Sequence, residues 1–160
     1  MTIIKREWAM PNKWTFKIKP IKELLIKYNV GQGWIDPFCG YNSPAEYKND
    51  LNPNNKFAQY NLEALTQVAR SYNNIGLKFK SKENPTGGFP KFKKKISELL
   101  KKNQHCISFG WNTCGLGKKN NMEIVEILIV CHGGNRNDTL VVVEKKIIME
   151  DLFNNGKKSR

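Results

Sequence analysis

Gly33-Trp34-Ile35-Asp36-Pro37-Phe38-Cys39-Gly40, followed after a short interval by Lys48-Asn49-Asp50-Leu51-Asn52-Pro53, is the stretch on which the fold turns. A short apolar run ends in an acid and then breaks into Pro and Gly. That is the pattern of a buried strand delivering a carboxylate to the edge of a sheet. Asp50 arrives fourteen residues later, at the end of a second strand-like segment. Two carboxylates at neighbouring strand ends suit a small, polar, cationic ligand. In open α/β sheets ligands bind in the crevice outside the carboxyl ends of the strands, where an acid on the second strand takes a ribose hydroxyl pair.

On the N-terminal side, residues 1–16 place Trp8, Pro11, Trp14 and Phe16 among Lys5, Arg6 and Lys13. Aromatics interleaved with cations can stack bases or cover the end of a core. Pro20 suits a first helical turn, and Ile21, Leu24, Leu25 and Tyr28 recur at helical spacing, so an amphipathic helix with a core-facing stripe is expected, stopped by Gly31 and Gly33. Trp34 to Phe38 then reads as the first strand and its exit. On the C-terminal side, Pro53-Asn54-Asn55 reads as the opening of a second helix that buries Phe57, Tyr60, Leu62 and Leu65.

The chain has 160 residues, a length that suits one domain with a single core. Its net charge of +13 points to a polyanionic partner. The competing explanation is a lysine-rich composition spread over solvated faces. Cys39, Cys106, Cys114 and Cys131 show no C-x-x-C spacing, and neither a secretory leader nor a long apolar run is visible. The expectation is a cytoplasmic protein with reduced thiols, no membrane span and no metal, the cysteines serving as small buried apolar groups.

Beyond Tyr72 a stretch rich in Gly, Pro, Asn and Lys runs to Lys91. Together with Arg70, the cations Lys78, Lys80, Lys82 and Lys91 make it the candidate nucleic-acid grip, with a plain surface excursion as the alternative. Pro90 begins another helix with Phe92, Ile96, Leu99 and Leu100 on one stripe. Cys106 to Trp111 is a continuous apolar run of the kind found in central parallel strands. The loop Asn112 to Lys119 lacks phosphate-loop spacing. Glu123–Cys131 and Thr139–Lys145 read as antiparallel strands joined by a turn in which His132 is a turn residue, not a base. The residues from Asn154 onward are polar and basic, a tail expected to fray.

Asp36-Pro37-Phe38-Cys39-Gly40 resembles the D-P-F-x-G cofactor motif of S-adenosylmethionine-dependent DNA adenine N6 methyltransferases, particularly short bacteriophage ones. The likeness continues through Asn49 to Pro53, Gln67 to Tyr72, Ile107 to Asn112 and Gly133 to Thr139. It implies an α/β fold: a Rossmann-like methyltransferase sheet, mainly parallel, with an antiparallel terminal hairpin and helices on both faces, in one domain over residues 1–153 and a tail over 154–160. It also implies S-adenosylmethionine as cofactor and DNA as partner. Asp36 would meet the methionine amino group and Asp50 the ribose hydroxyls. Phe38 and Gly40 would line the pocket, and Thr15 and Phe16 would cap it from the segment Met10 to Phe16.

The resemblance breaks at one place. The family carries a catalytic D-P-P-Y tetrad on a strand before the Gln67 segment, and no D-P-P-Y occurs anywhere in this chain. Leu65 runs directly into Thr66, so about twenty residues are absent relative to the family, enough for a strand of about five to six residues and its connections. The tetrad's acid and prolyl carbonyl accept the hydrogens of the adenine amine, and its aromatic residue stacks on the extruded base. Asn84-Pro85-Thr86-Gly87 is the nearest string by spelling, but no apolar strand precedes it. Without the tetrad, no catalytic residue is assigned. Three functions follow: a DNA adenine methyltransferase, a pseudo-enzyme that binds cofactor or DNA, and a different reaction on S-adenosylmethionine. A sheet that has lost an interior strand would also favour completion by a second copy, hence a homo-oligomer.

Overall fold

The computed structural model describes residues 1–50, 52, 54–59, 88–110, 115–134 and 136–148, with the backbone alone for 88–92. The junction of Leu65 with Thr66, the Gln67 segment and the tail lie outside these residues. The chain divides into two compact units, Met1–Trp8 with Lys93–Arg160, and Ala9–Phe92.

The first unit is built on a four-stranded mixed sheet. Strand β1 is Ile3–Trp8, and the sheet is completed by β4 (His105–Gly110), β5 (Met122–Cys131) and β6 (Thr139–Lys146), in the order β1-β5-β6-β4. β1 lies parallel to β5, whereas β6 is antiparallel to both β5 and β4. The interior position of β6 explains its sequence. Val141, Val142 and Val143 are all buried, because a strand covered on both faces cannot alternate apolar with polar. Met122, Leu128 and Val130 of β5 complete this core. The β5–β6 hairpin is the antiparallel pair read from the sequence, and its register shifts between Ile124 and Glu126, where a bulge takes up one residue.

Two expectations for this unit are corrected. The run from Cys106 was read as a central parallel strand, but β4 is antiparallel to β6 and stands at an edge of the described sheet. Its residues are only half-buried along their whole length, which is what an edge position gives. Ile3–Trp8, read only as an aromatic and cationic lead-in, is a strand whose side chains are exposed throughout. With no buried face to write a period-two pattern, it left no strand signal.

The helix read from Pro90 is α2, Gly88–Leu99. Its Leu99, placed on the buried stripe, is exposed.

The second unit opens with a 3-10 turn at Thr15–Lys17 and helix α1, Lys19–Lys27, whose Pro20, Ile21, Leu24 and Leu25 are buried as their spacing requires. The helix ends before the glycines expected to stop it. Val30 N–H donates to the Leu25 carbonyl and Asn29 N–H to that of Ile26, with Asn29 at φ 51°. This is a Schellman closure in which asparagine takes the left-handed position usually held by glycine. Strand β2, Ile35–Asp36, pairs in parallel with β3, Tyr47–Lys48. Both are shorter than the Trp34 to Phe38 strand read from the sequence, because Pro37 has no N–H to continue the ladder. They form a two-stranded sheet of their own.

The helix expected from Pro53 is a further correction. Residues 54–59 form turns, Gln59 returns to the β3 edge through a two-way pair with Lys48, and Phe57 is exposed. Tyr60, Leu62 and Leu65 lie outside the described residues.

A buried acid closes the loop before β5. Glu144, fully buried on β6, accepts from Leu116 N–H at 2.6 Å and Gly117 N–H at 2.8 Å. Gly115, at φ +68°, presses its backbone so close that a Cβ there would collide with the Glu144 carboxylate. Glu144→Gln exchanges one acceptor for a second donor facing a backbone N–H, so it is expected to lower unfolding free energy in urea by about 1–3 kcal/mol.

Candidate functional site

The carboxyl ends of β2 and β3 sit side by side because the strands are parallel. Past Asp36 the chain turns at once. Asp36 Oδ1 accepts from Phe38 N–H at 2.9 Å, an Asx turn. Asn49 N–H then donates to the Asp36 carbonyl at 2.9 Å, and Cys39 N–H to the Asn49 carbonyl at 3.0 Å. Asn49 Nδ2 adds a bond to the Pro37 carbonyl at 3.1 Å. These bonds stitch Asp36–Cys39 against Asn49 and bring the two acid-bearing ends together, as the spacing of the sequence anticipates.

The two acids have different surroundings. Asp50 is buried, and its oxygens are engaged: Oδ1 accepts from Asn52 N–H at 2.9 Å and Oδ2 from Asn55 Nδ2 at 2.7 Å. Asp36 is half-buried, and among the described residues its Oδ2 accepts no hydrogen bond. Of the two acids, Asp36 is therefore the one with an oxygen left unbonded among the described residues. Both carboxylates are felt by the thiol between them. Burial, then the negative charges of Asp36 and Asp50, push Cys39 up to about 11, with Lys48 opposing.

Asn55 is the member that inspection of the sequence misses. Read as part of a helix start, it is buried and donates from Nδ2 to the Gly40 carbonyl at 2.6 Å as well as to Asp50. Its Oδ1 accepts from Phe57 N–H at 3.0 Å. The available signal was the spacing of Asx residues. Asn12, Asp36, Asp50, Asn52 and Asn55 each accept from the backbone N–H two residues on, so these strings mark turns and not helix starts.

Gly40 has φ +52°, and among the described residues a Cβ there would meet nothing within 4 Å, so conformation and not space calls for glycine. Phe38 is 42% exposed beside it. The segment carrying Thr15 and Phe16 is tied to this loop through its neighbour Trp14, whose ring meets that of Tyr41 edge-on at 6.1 Å. Thr15 and Phe16 are themselves half-buried.

Of the nucleic-acid candidates, Arg70, Lys78, Lys80 and Lys82 lie outside the described residues, and Lys91 is placed only as a backbone position in α2. His132 pairs through Nε2 with Thr139 Oγ1 at 2.8 Å, a contact across the base of its turn. Among the described residues no helix is long and apolar enough to cross a membrane. Comparison with protein-family models, with characterised proteins and with solved structures found no match.

Asn55→Ala leaves the half-buried Gly40 carbonyl and the buried Asp50 carboxylate each short of a donor, so a loss of about 1–3 kcal/mol in unfolding free energy is expected from chemical denaturation. The Cys39 thiol gives a pH test. Its folded pKa is raised, so its contribution to stability is complete below the ordinary value of 9.0 and is lost as pH climbs toward about 11. Unfolding curves of Cys39→Ala should therefore fall less steeply than wild type between those two values.

Proposed function

We propose that the chain binds S-adenosylmethionine in the crevice between the β2 and β3 ends and acts on DNA as a relative of the adenine N6 methyltransferases, on a Rossmann-like framework. The observation that carries this is that, among the described residues, Oδ2 of half-buried Asp36 accepts no hydrogen bond and the space above the Cα of Gly40 is open. A carboxylate oxygen with no internal donor favours a cationic hydrogen-bond donor, and the cofactor's amino group is one. Phe38, half-exposed, covers the adenosyl portion, and Asp50 meets the ribose hydroxyls. Thr15 and Phe16 close the methionine end. The net charge of +13 supports DNA as the macromolecular partner.

The absence of any D-P-P-Y string favours a second reading, a pseudo-enzyme that holds cofactor or DNA without transfer. A further reaction on the cofactor is the remaining alternative. Nothing in the chain is assigned the tetrad's role of orienting the adenine amine.

Titration calorimetry with S-adenosylmethionine is expected to give a saturable isotherm. A charge-assisted hydrogen bond is worth about 1.5–3 kcal/mol, so Asp36→Ala should weaken binding by about 10- to 100-fold. No heat of binding to wild type would end the proposal. With binding established, tritiated methyl incorporation into unmethylated DNA separates a transferase from a pseudo-enzyme.

A further inference from the structure

Three aromatic rings in the second unit form a continuous row. Trp14 meets Tyr41 edge-on with centroids 6.1 Å apart, and Tyr41 meets Phe57 edge-on at 6.0 Å and 85°. These rings are not core. Tyr41 is 49% and Phe57 62% exposed, and Trp14 is only half-buried. Exposed rings that hold one another in place mark a recognition surface more often than a packing residue left outside, because the apolar area gains nothing in water.

The row is also rigidly mounted. Phe57 N–H is held by Asn55 Oδ1, and Tyr41 follows Gly40, whose carbonyl accepts from the same Asn55 amide. Trp14 N–H is held by Asn12 Oδ1. Cations accompany the rings. Lys13 Nζ lies 5.0 Å from the Trp14 centroid, and exposed Lys56 directly precedes Phe57.

We infer that Trp14, Tyr41 and Phe57, with Lys13 and Lys56, form a stacking platform for unpaired bases of a single-stranded nucleic acid. Fixed aromatic faces flanked by lysines are what sequence-tolerant single-strand binding uses: stacking supplies the affinity and the cations hold the backbone. A duplex cannot use such a surface, because its bases are already stacked at about 3.4 Å along each strand, much closer than the spacing of these rings. Bases must be splayed to reach it, as in a single strand or around an extruded nucleotide. The inference goes beyond the cofactor reading, sharing with it only the choice of nucleic acid as partner.

The test is fluorescence anisotropy of the full chain with a labelled twelve-nucleotide oligothymidylate and with the same strand made duplex, over a range of salt. Each stacked base is worth about 1–3 kcal/mol, so Tyr41→Ala and Phe57→Ala should each weaken single-strand binding by about fivefold or more. Phe57→Tyr, which keeps the ring, should restore it, and thermal unfolding checks that each variant is folded. Single-strand binding at least about tenfold tighter than duplex binding in the wild type is the expected result. Equal binding to both forms, or alanine variants that bind as wild type, would overturn the platform. So would a dimer in sedimentation that Phe57→Ala dissolves, since the row would then be a contact between copies. Cofactor calorimetry on the wild type reads the other proposal separately. Single-strand binding without cofactor binding sinks that one alone, and the converse sinks this one alone.

Discussion

One side-chain amide, that of Asn55, ties the two acid-bearing loops of the second unit to the backbone of Phe57. Its two donor hydrogens go to the Gly40 carbonyl and the Asp50 carboxylate, and its oxygen takes the Phe57 N–H. The group is buried, so each of these bonds replaces one that water would otherwise make, and an unfilled partner would carry the full desolvation cost. A single planar group thus sets the separation of the acid-bearing loops and the placement of the aromatic row. The first unit uses the same physics with a different residue. Buried Glu144 gathers the N–H groups of Leu116 and Gly117 and so fixes the loop before β5. In both, a buried polar side chain organises backbone that belongs to neither helix nor strand.

The two acids carried at the β2 and β3 ends stand out in so basic a chain. The chain carries twenty-seven Lys and Arg against fourteen Asp and Glu. Burial raises the thiol of Cys39 most, and the negative charges of Asp36 and Asp50 add to it. On the two proposed readings, the acids would hold a small cation and the lysines a polyanion at different places in the second unit. The crevice needs its carboxylates close, while the aromatic row needs lysines at its margin, and the order of residues from Asn12 to Phe57 supplies both.

Part of this was legible in the sequence. The acids at Asp36 and Asp50, the apolar stripe of α1 and the β5–β6 hairpin were all anticipated, because each is written in local chemistry: an acid before Pro, a helical period, apolar runs around a Gly-Gly turn. The misses have physical reasons too. β1 is exposed on both faces and so shows no alternation. β4 carries the apolar run of an interior strand but is only half-buried beside β6. The string Asn52-Pro53-Asn54-Asn55 resembles a helix opening, and the buried demands of Gly40 and Asp50 redirect it into turns.

By itself the sequence determined which residues could carry chemistry and in what order, since charge, ring and turn propensity belong to each residue and its immediate neighbours. It determined also that the D-P-P-Y groups are lacking. Only the tertiary structure decided how the two acids are engaged, because that depends on Asn52 and Asn55 folding back on Asp50 while Asp36 keeps one oxygen unbonded among the described residues. Strand order was decided there as well. Pairing partners are chosen by burial of β6 between β5 and β4, a comparison among distant segments that no local pattern encodes.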